Sequence, residues 1–212
     1  MVDRLTDYLE ISLNLFSQST ERILWNLWLA LIPLLLSLYL FRPTVVRNLI
    51  WWTALLIFII FLPNAPYILT DSIHIIELSQ QDYPRWALAL VLIPQYTLFI
   101  LLGFGAYVVS LQNLSSYLSS YFAPQYLIAA RAIVHGLCVI GVYIGRFERF
   151  NSWDFATRPG MVLLTTVRDL LDGWKLLCMA IAFIVLELLF ELVDLVNRRF
   201  ELQREGTTKT KI

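Results

Sequence analysis

Between Arg85 and Arg131 the chain carries no charged side chain, and that run limits what it can fold into. A helix crosses the roughly 30 Å hydrocarbon of a bilayer with about 20 mostly apolar residues, so the run holds one span and the start of another. Similar runs recur. Five spans are expected, over residues 23–41, 45–62, 86–110, 126–145 and 174–196. The first has Trp25 and Trp28 at one end and Tyr39 at the other, where amphipathic rings settle at the two membrane boundaries. The apolar part of the second, 49–62, is short, so the span is extended to Val45 and Val46 across Arg47 and Asn48. The chain is 58% hydrophobic and 15% charged, whereas soluble domains carry about 25% charged residues, and such a chain could not cover its apolar surface in water. Only helices or closed barrels satisfy the backbone in lipid, and the runs lack the period-two alternation of barrel strands. The fold class is therefore all-α: a polytopic membrane helical bundle of about five transmembrane helices, with amphipathic interfacial helices beside it.

Two segments outside the spans have helical periodicity. Asp3, Asp7, Glu10, Asn14 and Ser17 recur at steps of four and three while Leu5, Leu9, Leu15 and Phe16 fill the other face, which predicts an amphipathic helix over residues 1–20 lying on the membrane surface. The acidic opening gives no sign of a cleavable leader. After Pro159 a second such helix presents Leu163, Val167, Leu170, Leu171 and Trp174 on one face and Thr165, Asp169 and Asp172 on the other, to sit at the interface or pack on protein. No linker, repeat or low-complexity block divides the chain, so residues 1–212 read as one membrane domain ending in a polar, frayed tail, 198–212. Cys138 and Cys178 fall inside spans and read as small hydrophobes.

The sixteen basic residues divide evenly between the two sides of a five-span chain. Short connections carry more weight than long ones, and the first connection holds Arg42 and Arg47 without an acid. That predicts a cytoplasmic C-terminus and an outside N-terminus.

Two polar stretches stand out. The first follows the second span: Leu62-Pro63-Asn64-Ala65-Pro66-Tyr67-Ile68-Leu69-Thr70-Asp71-Ser72-Ile73-His74. Pro63 and Pro66 each remove a donor and disfavour helix in the residue before, so a helix break is expected near residues 62–65, with Asn64 satisfying the freed carbonyls. Asp71 is placed to cap a short helix running to Ser79 that carries His74 and Glu77. The second stretch, Gly145-Arg146-Phe147-Glu148-Arg149-Phe150-Asn151-Ser152-Trp153-Asp154, follows the fourth span and emerges on the same side. With these blocks, in this order, the chain from about residue 23 to 196 resembles the uncharacterised bacterial membrane proteins grouped as domain of unknown function 1361. The resemblance implies the fold and marks the two motifs, but it supplies no catalytic residue.

The candidate polar site is Asn64, Asp71, His74, Arg146, Glu148, Arg149, Asn151 and Asp154. Its carboxylates and histidine are acid-base or ligand-type groups, and its arginines can fork onto a phosphate or carboxylate. A structural reading stands beside this one: Asp71 caps a helix, the arginines pair with the acids and Trp153 anchors the interface. One histidine among scattered carboxylates lacks metal-helix spacing, so no metal is assigned and no cofactor is named. A second polar set lies toward the opposite side, where Arg131 and His135 share a face of the fourth span and Glu187 and Glu191 share a face of the last. An intramembrane charge needs a partner, so Arg131 is expected to pair with Glu187 or Glu191, with His135 at the same contact. Gly141 and Gly145 have the spacing of a close helix contact.

Three functional readings stay open. The first is a binding or catalytic module for a lipid-linked or amphipathic molecule at the outer membrane face. The second is a small transporter or channel subunit, which would need a homo-oligomer, and the third is a noncatalytic assembly or scaffold protein. The partners implied are the lipid bilayer and a lipid or small-molecule ligand. A net charge of zero with dispersed basic residues argues against nucleic acid, and two histidines expected near opposite sides argue against haem.

Overall fold

The computed structural model describes residues 2–209, with side chains described between Thr6 and Arg199 except that of Arg198. Among the described residues there is no strand. The helices are α1 (Val2–Leu40), α2 (Leu49–Phe61), α3 (Asn64–Tyr67), α4 (Ile73–Ser79), α5 (Arg85–Ala87), α6 (Ile93–Ser119), α7 (Pro124–Arg146), α8 (Asp154–Thr157), α9 (Pro159–Leu171) and α10 (Gly173–Lys209). A 3₁₀ turn, Ile68–Ser72, joins α3 to α4, and a π turn, Leu88–Leu92, joins α5 to α6. Among the described residues, five helical runs are long and apolar enough to cross a membrane: Thr6–Leu40, Leu49–Ser79, Arg85–Ser119, Pro124–Arg146 and Gly173–Asn197. Only 17–33% of the apolar window of each is buried inside the protein, so lipid must cover most of the rest.

Several boundaries differ from those read in the sequence. Residues 1–20 do not form a separate surface helix. From Val2 they continue the first span, because Thr20 and Ser17 return their hydroxyls to Phe16 O and Asn14 O and no breaker intervenes before Pro33. Met1 lies outside the described residues. The second span begins at Leu49 rather than Val45, because Asn48 takes the Trp51 N–H at 3.0 Å as an N-cap. The stretch read as a frayed tail is helical to Lys209, and residues 210–212 lie outside the described residues.

At the proline motif the α-helix is interrupted at Leu62–Pro63, within the stretch where a break is expected, but the chain keeps right-handed helical dihedrals through Leu62, Pro63 and Ile68, so it tightens there instead of unwinding. Ala65 N–H bonds Leu62 O at 3.1 Å, Tyr67 N–H bonds Pro63 O at 3.0 Å, and the Asn64 amide donates to Phe61 O at 2.8 Å. Those bonds hold carbonyls at a turn where Pro63 and Pro66 bring no N–H. The π turn before Pro94 makes a similar accommodation in the third span, widening the helix where a proline ring would crowd an α-helical carbonyl.

The tightened segment sits at the centre of the bundle. Helix α3 touches α1, α6 and α7, and Ala65 and Ile68 are fully buried. Such close approach needs glycine on the partners. A Cβ on Gly141 would stand 2.6 Å from two ring carbons of Pro63, and one on Gly103 would overlap the Ile68 side chain. Polar side chains also join the spans: Gln95 bonds Ser19 and Thr20, Asn113 bonds Ser37, Gln112 bonds Asp194, and the Trp51 indole donates to Leu40 O.

Helix α9 is amphipathic in an inverted sense. Leu163, Leu164 and Leu171 are more than 60% exposed, whereas Asp169 is fully buried against Lys175 at 2.6 Å. Its apolar face thus points outward, as suits a helix meeting lipid, while its acid fastens it to the fifth span.

The packing at Gly141 sets a direct test. Gly141→Ala should destabilise the protein in detergent by about 1–3 kcal/mol, because a proline ring cannot rotate away from the new methyl. Gly136→Ala, on the same helix with nothing within 4 Å of the new carbon, should be neutral or raise the unfolding temperature through helix propensity.

Candidate functional site

The ends of the second and fourth spans meet on the side of the membrane where α1 begins. The 3₁₀ turn points Asp71 inward, so the carboxyl is 2% exposed and does not cap α4; Ser72 holds the cap position and makes no capping bond. The Asn26 amide, from the first span, donates to Asp71 Oδ2 at 2.6 Å, and Arg146 Nη1 stands 3.5 Å from Oδ1. His74 Nε2 is 3.8 Å from the same oxygen, while His74 Nδ1 faces Glu77 Oε2 at 2.5 Å. Three spans therefore bring Asn26, Asp71, His74, Glu77 and Arg146 into one hydrogen-bonded and ion-paired cluster.

Beside it opens a cavity of about 290 Å³. Trp25 and Leu29 form one wall, Ile60, Pro63 and Tyr67 another, and Gly141, Ile144 and Gly145 a third; Arg149, Asn151 and Ser152 close it. Asn26 also lines it, which puts the charged cluster one side chain from the groove. The Asn64 amide reaches Ser152 Oγ at 2.8 Å and so ties the two sequence motifs together across the cavity.

Not every expected residue joins. Asp154 does not enter a pocket with Asp71, His74 and Arg146. Its buried carboxyl accepts the Asn151 N–H at 2.7 Å and the Arg158 guanidinium at 2.7 Å, which orders the loop ahead of α8. Those donors, the Asn151 N–H first and Arg158 next, hold the carboxyl below the usual carboxylate range. Glu148 turns away to Lys175 at 3.4 Å, and Lys175 is shared with Asp169. Arg149 is exposed at the mouth of the groove with φ 59°, the one non-glycine residue with positive φ among those described, and has no ion pair among them. Asn26 and Lys175 were not singled out in the sequence, and Ser152 stood in the second motif without being among the candidate residues. Asn26 had a signal, a lone amide one turn after Arg22 in an apolar run.

The second polar set meets between the fourth and fifth spans. Arg131 Nη2 lies 2.7 Å from Glu187 Oε1 and 2.6 Å from Glu191 Oε1, and His135 Nδ1 pairs with Glu187 Oε2. The Phe190 ring lies beneath the guanidinium at 5.4 Å. Among the described residues, no three His, Cys, Asp or Glu side chains converge as a metal site.

A family model described as a protein of unknown function (DUF1361) matches residues 25–189, which include both motifs. No curated protein matches the chain. No solved structure matches it either.

Asp154 carries a pH prediction. Its depressed folded-state pKa adds stability to the loop that is present at neutral pH and lost as pH falls through that folded value. Protection of the Asn151 amide from hydrogen exchange should weaken only below about pH 4. In Asp154→Asn it should be weak at every pH.

Proposed function

The chain belongs to the DUF1361 family of proteins of unknown function and crosses the membrane several times, and from that premise we propose that it binds an amphipathic molecule with an anionic headgroup in the groove between the first, second and fourth spans. The observation that carries this reading is Arg149. A non-glycine residue in the left-handed region costs on the order of 1–3 kcal/mol, and helices normally place glycine where the chain turns back after the last turn. Here the turn brings the Phe150 N–H to Ile144 O at 3.3 Å. Arginine in that strained position stands at a cavity lined by aromatic and aliphatic side chains together with the polar Asn26, Asn64, Asn151 and Ser152. A guanidinium without a protein carboxylate suits a phosphate or carboxylate headgroup, and Asn151 and Ser152 supply further polar contacts. A cavity of about 290 Å³ takes the headgroup and the first part of a chain, the rest running in the bilayer.

The reading is tested by Arg149→Gly. Glycine relieves the strain, so unfolding temperature should stay level or rise, while anionic lipid retained through purification and measured by mass spectrometry should fall several-fold. Undiminished retention in a folded variant would overturn it.

We also propose that the groove opens at the outer face, since the tight connection bearing Arg42 and Arg47 belongs in the cytoplasm. A cytoplasm-only reporter fused after Ile212 should then be active. Silence in a well-expressed fusion would reverse the orientation.

A further inference from the structure

We propose that Glu187 and His135 form a proton-binding site, loaded from the C-terminal side of the membrane through a second cavity that Arg131 lines. Glu187 and Glu191 share one cation, Arg131. With a neutral imidazole, one guanidinium against two carboxylates leaves a single negative charge, and with an imidazolium the cluster is neutral. Net charge is costly at the buried inner end of the cluster, where His135 meets Glu187, so a bound proton stabilises that contact. A purely structural pair would need only Arg131 and Glu187. Glu191 and His135 are the additions that make one proton removable.

Burial is graded along the cluster. Glu191 is 50% exposed, Arg131 and Glu187 are 27% and 26% exposed, and His135 is fully buried. A proton arriving from water therefore meets carboxylate before imidazole. The route in is a cavity of about 370 Å³ between the third, fourth and fifth spans, whose polar lining includes Gln112, Ser115, Ser116, Ser119, Arg131 and Asn197. Hydroxyls and amides of this kind hold water where a plain helix contact would be apolar.

A second observation points the same way. His135 Nε2 is buried with no hydrogen-bond partner among the described residues, and its ring lies 5.7 Å between centroids from that of Tyr107, whose hydroxyl meets the Cys138 thiol. Polar groups sealed in this way are rare unless they serve a bound species or an exchange of protons. The groups facing His135 are Tyr107 from the third span, with Cys138 beside it, Arg131 on the same helix, and Phe183, Glu187, Phe190 and Glu191 from the fifth. Uptake is simple in its balance: a proton from cavity water adds at the Glu187–His135 contact, the cluster charge rises by one, and no electron or other group moves.

His74 and His135 are the only histidines, so isotope-labelled histidine in the full-length protein reports His135 by nuclear magnetic resonance, with His74→Gln making the assignment. The imidazole of His135 should change its protonation state within the accessible pH range, and Glu187→Gln should lower its midpoint by about one pH unit or more. In oriented proteoliposomes it should respond to a pH step on the C-terminal side. A His135 fixed in one state across the range, a midpoint indifferent to Glu187→Gln, or a response confined to the other side would each overturn the proposal. Should Glu187→Gln fail to fold, the wild-type titration decides alone.

Discussion

A backbone N–H or C=O inside lipid must find its partner within the protein, and most of this architecture follows from how that demand is met around two prolines. Pro63 and Pro66 take two donors out of the second span at the depth where it touches three others. Tightened backbone bonds and the Asn64 amide hold the carbonyls there, so the chain tightens instead of unwinding and can pack closely. Close packing in turn requires Gly141 opposite Pro63 and Gly103 opposite Ile68. The same segment turns Asp71 inward and leaves the groove open beside it.

Charge is distributed with equal economy. On the N-terminal side Asp71 is held by an amide and an arginine from two other spans, while Asp154 and Asp169 are buried against cations that order α8 and fasten α9. On the C-terminal side Arg131 faces two carboxylates and a histidine. The first group includes neutral pairs that serve as locks. The second sets one arginine against two carboxylates and a histidine beside a cavity, and Arg149 has no ion pair among the described residues.

Much of the architecture was legible along the chain because hydropathy acts locally. Residues 126–145 lie within one or two residues of the observed helix Pro124–Arg146, whereas 174–196 begins one residue after the start of α10 and stops short of its end, since that helix runs on to Lys209. The demand that a membrane charge find a partner singled out Arg131, Glu187 and His135 from spacing and depth alone. Boundaries set by single side chains were harder to read. Asn48 ends the first connection by capping, and Ser17 and Thr20 remain in α1 by bonding back to its carbonyls; nothing in their neighbours' hydropathy marks either role.

By itself the sequence determined that the chain is a five-span helical membrane protein and which rare polar groups its bilayer would tolerate, since both depend on transfer energies that each residue carries with it. Tertiary structure alone decided which of those groups meet. Asn26 reaches Asp71 across 45 positions, Asn64 reaches Ser152 across 88, and Glu148 and Asp154, in the same motif as Arg149, turn away to Lys175 and Arg158. Partner choice depends on helix rotation and on how far two backbones can approach, and those were fixed by contacts such as Pro63 on Gly141 that no single stretch of sequence contains.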